Sequence, residues 1–154
     1  MITIPGKLHA ASWDIPHDLA AVPGVRRQVR RTLSRWTLEE LADDVALVVD
    51  ELLANAICHG APPIRLSLWR TRGVLCVRVT DHGLGHPHEL DPEPESVHGR
   101  GLAIVAALAG EFEVFPLPNR PGKVVWARWT VKSGPATIQE PQPPDPTIRR
   151  LPRL

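Results

Sequence analysis

The chain has 154 residues, 43% of them hydrophobic, enough for one folded domain with its own core. Its formal net charge of +1 supplies no global field that would favour nucleic acid or a membrane surface. No apolar run reaches the roughly 18–20 residues that span a bilayer, and Met1–Lys7 lacks the charged head and long apolar segment of a signal peptide. Cys58 and Cys76 read as small core residues, with neither metal-type nor redox-type spacing, and the expected compartment is the cytoplasm.

In chain order, residues 8–16 alternate loosely, and Trp13 and Ile15 predict a short edge strand ended by Pro16. Pro23 suits a helix start. Val22, Val25, Val29, Leu33 and Trp36 then recur at helical spacing as a core-facing stripe. Arg26, Arg27, Arg30, Arg31 and Arg35 fill the other side, read first as a solvated face and second as a docking surface for an acidic partner. Thr37 followed by Glu40 has the pattern of a capping box, so a second helix is expected from Thr37. Leu41, Val45, Val48 and Leu52 carry its buried face on to His59, where Gly60 and Pro62-Pro63 end it.

The second half of this long helix holds the most informative stretch, Asp50 to Gly60. Glu51, Asn55 and His59 stand four residues apart and form one polar stripe along about 12 Å of an otherwise apolar helix. A carboxylate, an amide and an imidazole on a core helix are costly to bury unless they meet partners or a ligand.

Beyond it, Ile64, Leu66 and Leu68 alternate with polar residues, as do Leu75, Val77 and Val79, and Thr71-Arg72-Gly73 turns between them: a β-hairpin. Its second strand runs into Asp81-His82-Gly83-Leu84-Gly85. An aspartate at a strand end accepts a hydrogen bond from an exocyclic amine such as that of adenine. Gly83 and Gly85 permit positive φ and close approach of a ligand to the backbone. Residues 86–98 turn to Pro, Glu, Asp and His, a loop of functional length. Gly99-Arg100-Gly101-Leu102 opens a helix closed by Gly110, and unpaired N–H groups at such a start favour phosphate, with Arg100 as an added donor. Phe112 and Val114 mark a strand. Val125, Ala127, Trp129 and Val131 alternate with Val124, Trp126, Arg128 and Thr130 in a last strand packed on both faces. Residues 133–154 hold Pro135, Pro141, Pro143, Pro144, Pro146 and Pro152 and few large apolar residues, and are expected to form a flexible Pro-rich tail. Helices plus a mostly antiparallel sheet in two layers make an α+β sandwich.

Each glycine motif is weak alone, but their order is specific. A Glu-x-x-x-Asn-x-x-x-His helix, a strand ending in Asp-x-Gly-x-Gly and a Gly-x-Gly-Leu helix start together resemble the GHKL superfamily of ATPases and kinases, over roughly residues 8 to 132. Glu51, Asn55 and His59 match its N box, Asp81, Gly83 and Gly85 its G1 box, and Gly99 and Gly101 its G2 box. Gly122-Lys123-Val124-Val125-Trp126 looks like the glycine turn and final strand that follow.

The resemblance implies a Bergerat-type sandwich, a mixed and mostly antiparallel sheet with helices on one face, as an ATP-binding domain over residues 1–132. Asp81 would hold the adenine amine, Asn55 would coordinate Mg²⁺ with the phosphates, and Glu51 would orient or deprotonate the nucleophile. Gly99, Arg100, Gly101 and Leu102 would support phosphate, and residues 86–98 would form the lid. His59 would face a phosphate or close the helix. In length and motif spacing the chain is similar to short bacterial anti-sigma factor serine/threonine kinases. These bind a sigma factor and phosphorylate a small antagonist protein, which implies those two partners, no direct nucleic acid contact, and either a monomer or a homodimer. Two departures stand out. The lid is short and lacks a Thr-rich segment, and no arginine precedes the G2 box at Val97-His98, leaving Arg100 as its substitute. The other readings are a non-catalytic ATP-binding regulator, and a metal site of His82, His86, His88 and His98, which lacks helical or Cys-x-x-Cys framing.

Overall fold

A computed structural model of the chain describes residues 9–84 and 97–132, with the side chains of 97–102 left aside. The elements are β1 (His9–Ile15), α1 (Val22–Arg35), α2 (Ala42–His59), β2 (Ile64–Thr71), β3 (Val74–Asp81), α3 (Val97–Leu108), β4 (Glu111–Pro116) and β5 (Lys123–Thr130), with single 3₁₀ turns before α1 and α2. The strands form one sheet in the order β1-β2-β3-β5-β4, with every pairing antiparallel. Alternation decides the layers: Ile64, Leu66 and Leu68, then Leu75, Val77 and Val79, then Val125, Ala127 and Trp129 point to one face. There they share a core with Val25, Val29 and Leu33 of α1, Val45, Val48, Leu52 and Ala56 of α2, and Val105 of α3. The result is the two-layer α+β sandwich expected, with α2 between α1 and α3 over β2 and β3.

The junction of α1 and α2 departs from expectation. Thr37 does not cap α2; the chain passes through a 3₁₀ turn at Glu39–Leu41, and α2 starts at Ala42 with no side-chain cap. Thr37 instead terminates α1 with a left-handed φ of 57°. Its N–H donates to Ser34 O at 3.0 Å and the Leu38 N–H to Leu33 O at 2.8 Å, the paired bonds of a Schellman ending. Leu38 and Leu33 are both fully buried, the apolar contact that accompanies that motif. A residue held at the left-handed end of one helix is unable to take the extended conformation of an N-cap for the next.

The basic side of α1 is solvated as expected, with Arg27, Arg30, Arg31 and Arg35 exposed. Arg26 pairs with Asp50 at 2.6 Å and Arg30 with Asp43 at 2.8 Å, so two of its arginines tie α1 to α2. α3 begins at Val97, two residues before Gly99, so Gly99 and Gly101 fall inside its first turns and not before them. Gly85, most of the lid (86–96), the tail (133–154) and residues 1–8 lie outside the described residues. No helix among the described residues is long and apolar enough to cross a membrane.

Candidate functional site

The site is built where α2 ends against the last residue of β3. Asp81 closes β3 directly opposite Lys123, which opens β5, and both side chains point to the helix layer with Val79 and Val125. At 3% and 4% side-chain exposure the two are sealed from water, with Lys123 Nζ 2.6 Å from Asp81 Oδ2. The other carboxylate oxygen accepts from the Gly83 N–H at 2.9 Å. Each oxygen of an ionised carboxylate has room for a second donor, so Asp81 keeps acceptor capacity for an exocyclic amine while holding both present partners. This is the observation by which a nucleotide base fits the residues here.

Glycine makes the assembly possible. Gly60 ends α2 as expected, but with φ −101° and ψ −159°, which any residue adopts. Its need is for space: a Cβ there would lie 2.4 Å from Asp81 Cγ and 2.6 Å from Ala56 O. Gly83 likewise lacks a positive φ, and a Cβ on it would lie 2.6 Å from Gly60 Cα. Gly122 alone among the described glycines has the left-handed geometry, at φ 129°, and also abuts the Asp81 carbonyl. The backbones after α2, after β3 and before β5 thus meet around one carboxylate. His82 N donates to Ala61 O at 2.9 Å, and the His82 ring Nδ1 lies 2.8 Å from Pro63 O, stitching the same segments.

From this end the polar stripe runs back along α2. His59 is its last residue and is exposed, at the C-terminal turn where a basic group complements the helix dipole. Asn55 is buried one turn earlier. Glu51, half-buried, lies a turn further on, and its proton affinity is raised above the ordinary carboxylate range, first by burial and second by the neighbouring Asp50 charge. Asp50 is itself bound to Arg26 through Oδ2, while its Oδ1 is buried without a hydrogen-bond partner. Asn55 supplies the hard carbonyl oxygen that Mg²⁺ favours.

The structure therefore brings Glu51, Asn55, His59, Asp81 and Gly83 to one region. It places the backbone of Gly99, Arg100, Gly101 and Leu102 in the first turns of α3, which packs beside α2. Sequence reasoning gave Lys123 no role. Its signal was a cation directly after Gly122, at the head of a strand whose next three residues are apolar. Among the described residues no three His, Cys, Asp or Glu side chains form a metal cluster; His86 and His88 lie outside them.

Comparison with known proteins adds the family. A family model described as histidine kinase-like ATPase domain matches residues 15–129. Among solved structures, the chain is similar to the histidine kinase domain of the Erythrobacter litoralis EL346 blue-light activated histidine kinase, at 22% identity and a TM-score of 0.46, over 71% of this chain and 59% of that one. It is also similar to the Acinetobacter baumannii histidine kinase AdeS, at 18% identity and a TM-score of 0.47, over 80% of this chain and 68% of that one. The match thus spans little more than half of the first of these structures. No curated protein matches. With most of its length covered by that model, the chain belongs to the histidine kinase-like ATPase domain family.

Proposed function

We propose that the polar stripe of α2 together with Asp81 binds ATP with Mg²⁺, and that the protein transfers the γ-phosphoryl group to a serine or threonine of an antagonist protein while sequestering a sigma factor. Glu51 stands nine positions before Gly60, which abuts Asp81, about 13 Å along the helix at 1.5 Å per residue. That is room for a nucleotide laid with its base at Asp81 and its last phosphate toward Glu51. Asp81 accepts from the adenine amine. Asn55 holds Mg²⁺ together with phosphate oxygens, and the bound ion offsets the phosphates' charge. Glu51 takes the proton from the attacking hydroxyl; the hydroxyl oxygen bonds to the γ-phosphorus and ADP leaves with the bridging electron pair.

The observation that carries this reading is geometric: Glu51 and Asn55 stand one turn apart on the helix whose end abuts Asp81, and burial raises the proton affinity of Glu51. The antagonist and sigma-factor partners rest on motif spacing and chain length.

The test is transfer from radiolabelled ATP to a candidate antagonist protein by wild type and Glu51→Ala. We expect the variant to bind ATP but to lose transfer by about 10²–10⁴-fold. Equal rates overturn the base assignment. If neither protein transfers while both bind ATP, the chain is a non-catalytic nucleotide-binding regulator. One observation favours that second reading: Asp81 is already engaged by Lys123, so a nucleotide has to share the carboxylate that holds the start of β5.

A further inference from the structure

The face of the sheet turned away from the helices is the unexplained surface. Strand register lays out its rows: Ala10, Trp69, Cys76, Arg128 and Glu111 in one, and Ser12, Ser67, Arg78, Trp126 and Glu113 in the next. A third row holds Asp14, Arg65, Thr80, Val124 and Phe115. No helix among the described residues covers this face, and none of its residues belongs to the core cluster. Yet Trp69 is 2% exposed, Cys76 3% and Trp126 6%. Burial also pushes the Cys76 thiol up to about 12. The face is an aromatic and cationic platform: Phe115 stacks on Trp126 at 6.3 Å, Arg128 lies 4.7 Å over Trp126, and Arg78 5.7 Å over Trp69.

Two polar atoms on this platform lack acceptors. Trp69 Nε1 and Trp126 Nε1 are buried with no hydrogen-bond partner. On the opposite face Trp129 Nε1 donates to Leu108 O at 3.0 Å, the ordinary fate of a buried indole. A buried donor left unpaired is costly, so these two N–H groups call for carbonyl oxygens arriving from outside the sheet. Segments rich in proline suit that need: they hold an extended conformation at low entropic cost, present carbonyls, and dock on aromatic surfaces.

We propose that the chain's own Pro-rich segment, residues 133–154, lies across this outer face and supplies carbonyl acceptors to Nε1 of Trp69 and Trp126. Its starting point fits. The described chain ends just past Val131, whose N–H donates to Gly73 O at 2.9 Å, where β3 starts and β5 ends, one outward row from Trp69 and Cys76. Gly134 allows a reversal there, and Pro135 to Pro146 follow. At about 3.1 Å per residue an extended segment of ten residues spans about 30 Å, more than the roughly 20 Å width of five strands. Glu140 and Asp145 bring carboxylates to a face that carries Arg65, Arg78 and Arg128.

Cys76 offers the readout. In a Cys58→Ser background it is the only thiol, and its reaction with an aromatic disulfide reagent under native conditions reports cover on the face. Three chains are compared: full length, one ending at Lys132, and full length with Pro141, Pro143, Pro144 and Pro146 replaced by serine. We expect both altered chains to react at least about tenfold faster, since docking worth ~1.4 kcal/mol already closes the face ten to one. A synthetic peptide of residues 133–154 should restore the slow rate to the shortened chain. In ¹⁵N-indole spectra Trp69 and Trp126 Nε1–H should lose protection while Trp129 keeps it, which separates uncovering from unfolding. Should the shortened chain fail to fold, the proline variant carries the test. Equal rates in all three chains overturn the proposal. A slow rate that survives removal of the segment but rises on dilution assigns the face to a second copy, and overturns it too.

Discussion

The two ends of the candidate site on α2 are built on opposite terms. At one end Asp81 is sealed, paired with Lys123 and bonded to Gly83, with three glycine backbones pressed around it. At the other, Glu51 is half-buried, and its proton affinity is raised first by that burial and second by the Asp50 charge. A buried carboxylate bonded to a cation and an N–H is held in one orientation. A carboxylate desolvated beside a like charge is poised to take a proton. The contrast agrees with the proposed roles, recognition at the Asp81 end and reaction at the Glu51 end.

The sharpest way to break that contrast is to remove the anchor's cation. Lys123→Met leaves Asp81 buried with only the Gly83 N–H, and Asp81→Asn leaves Lys123 buried without its counter-charge. Breaking a buried pair from one side costs about 3–5 kcal/mol, while replacing both partners by apolar residues is often close to neutral. Urea denaturation at pH 7 should therefore show large losses for each single change and recovery of most of the loss in Asp81→Leu/Lys123→Met. A Lys123→Met chain as stable as wild type would mean that the pair anchors nothing.

A smaller effect comes from Gly60. In Gly60→Ala the new methyl meets Asp81 Cγ and the Ala56 carbonyl at well under contact distance, and neither yields easily. Overpacking of this kind costs about 1–3 kcal/mol. Gly73→Ala is the control: a Cβ there has nothing within 4 Å, so its midpoint should stay within about 0.5 kcal/mol of wild type. If the two substitutions have equal effects, α2 and β3 do not depend on backbone contact at Gly60.

These two tests fall on features that differ in how far the sequence reveals them. The stripe on α2 is legible because helical periodicity is local, and so is the strand β5, whose alternation predicts apolar residues on both faces. The Asp81–Lys123 pair is not, since it joins residues 42 positions apart through a strand register set by the whole sheet. Thr37 fails for a different reason. Its spacing to Glu40 fits a capping box, but the reversal between α1 and α2 uses Thr37 to end the first helix, and tertiary packing of Leu33 and Leu38 decides between the two. Gly60 sits at the predicted helix end, while its reason, contact with Asp81, exists only in three dimensions.

The smallest effect tests the reactive end without touching its carboxylate. Burial is the larger cause of Glu51's raised proton affinity and the Asp50 charge the smaller, so Asp50→Asn should lower that affinity while leaving it above the ordinary carboxylate range. The sign for stability follows. Between the unfolded value of 4.5 and the folded one, the folded chain holds more protons at Glu51, so stability falls as pH rises through that window. Asp50→Asn should narrow the window from its upper side and, on the proposed function, move the acid limb of phosphoryl transfer to lower pH. The exposed half of the Arg26–Asp50 pair limits its lost stability to about 1 kcal/mol. A ¹³C titration of the Glu51 carboxyl reads the change with no reliance on activity. If Glu51 titrates identically in both chains, the like charge contributes nothing, and desolvation alone distinguishes the reactive end from the anchored one.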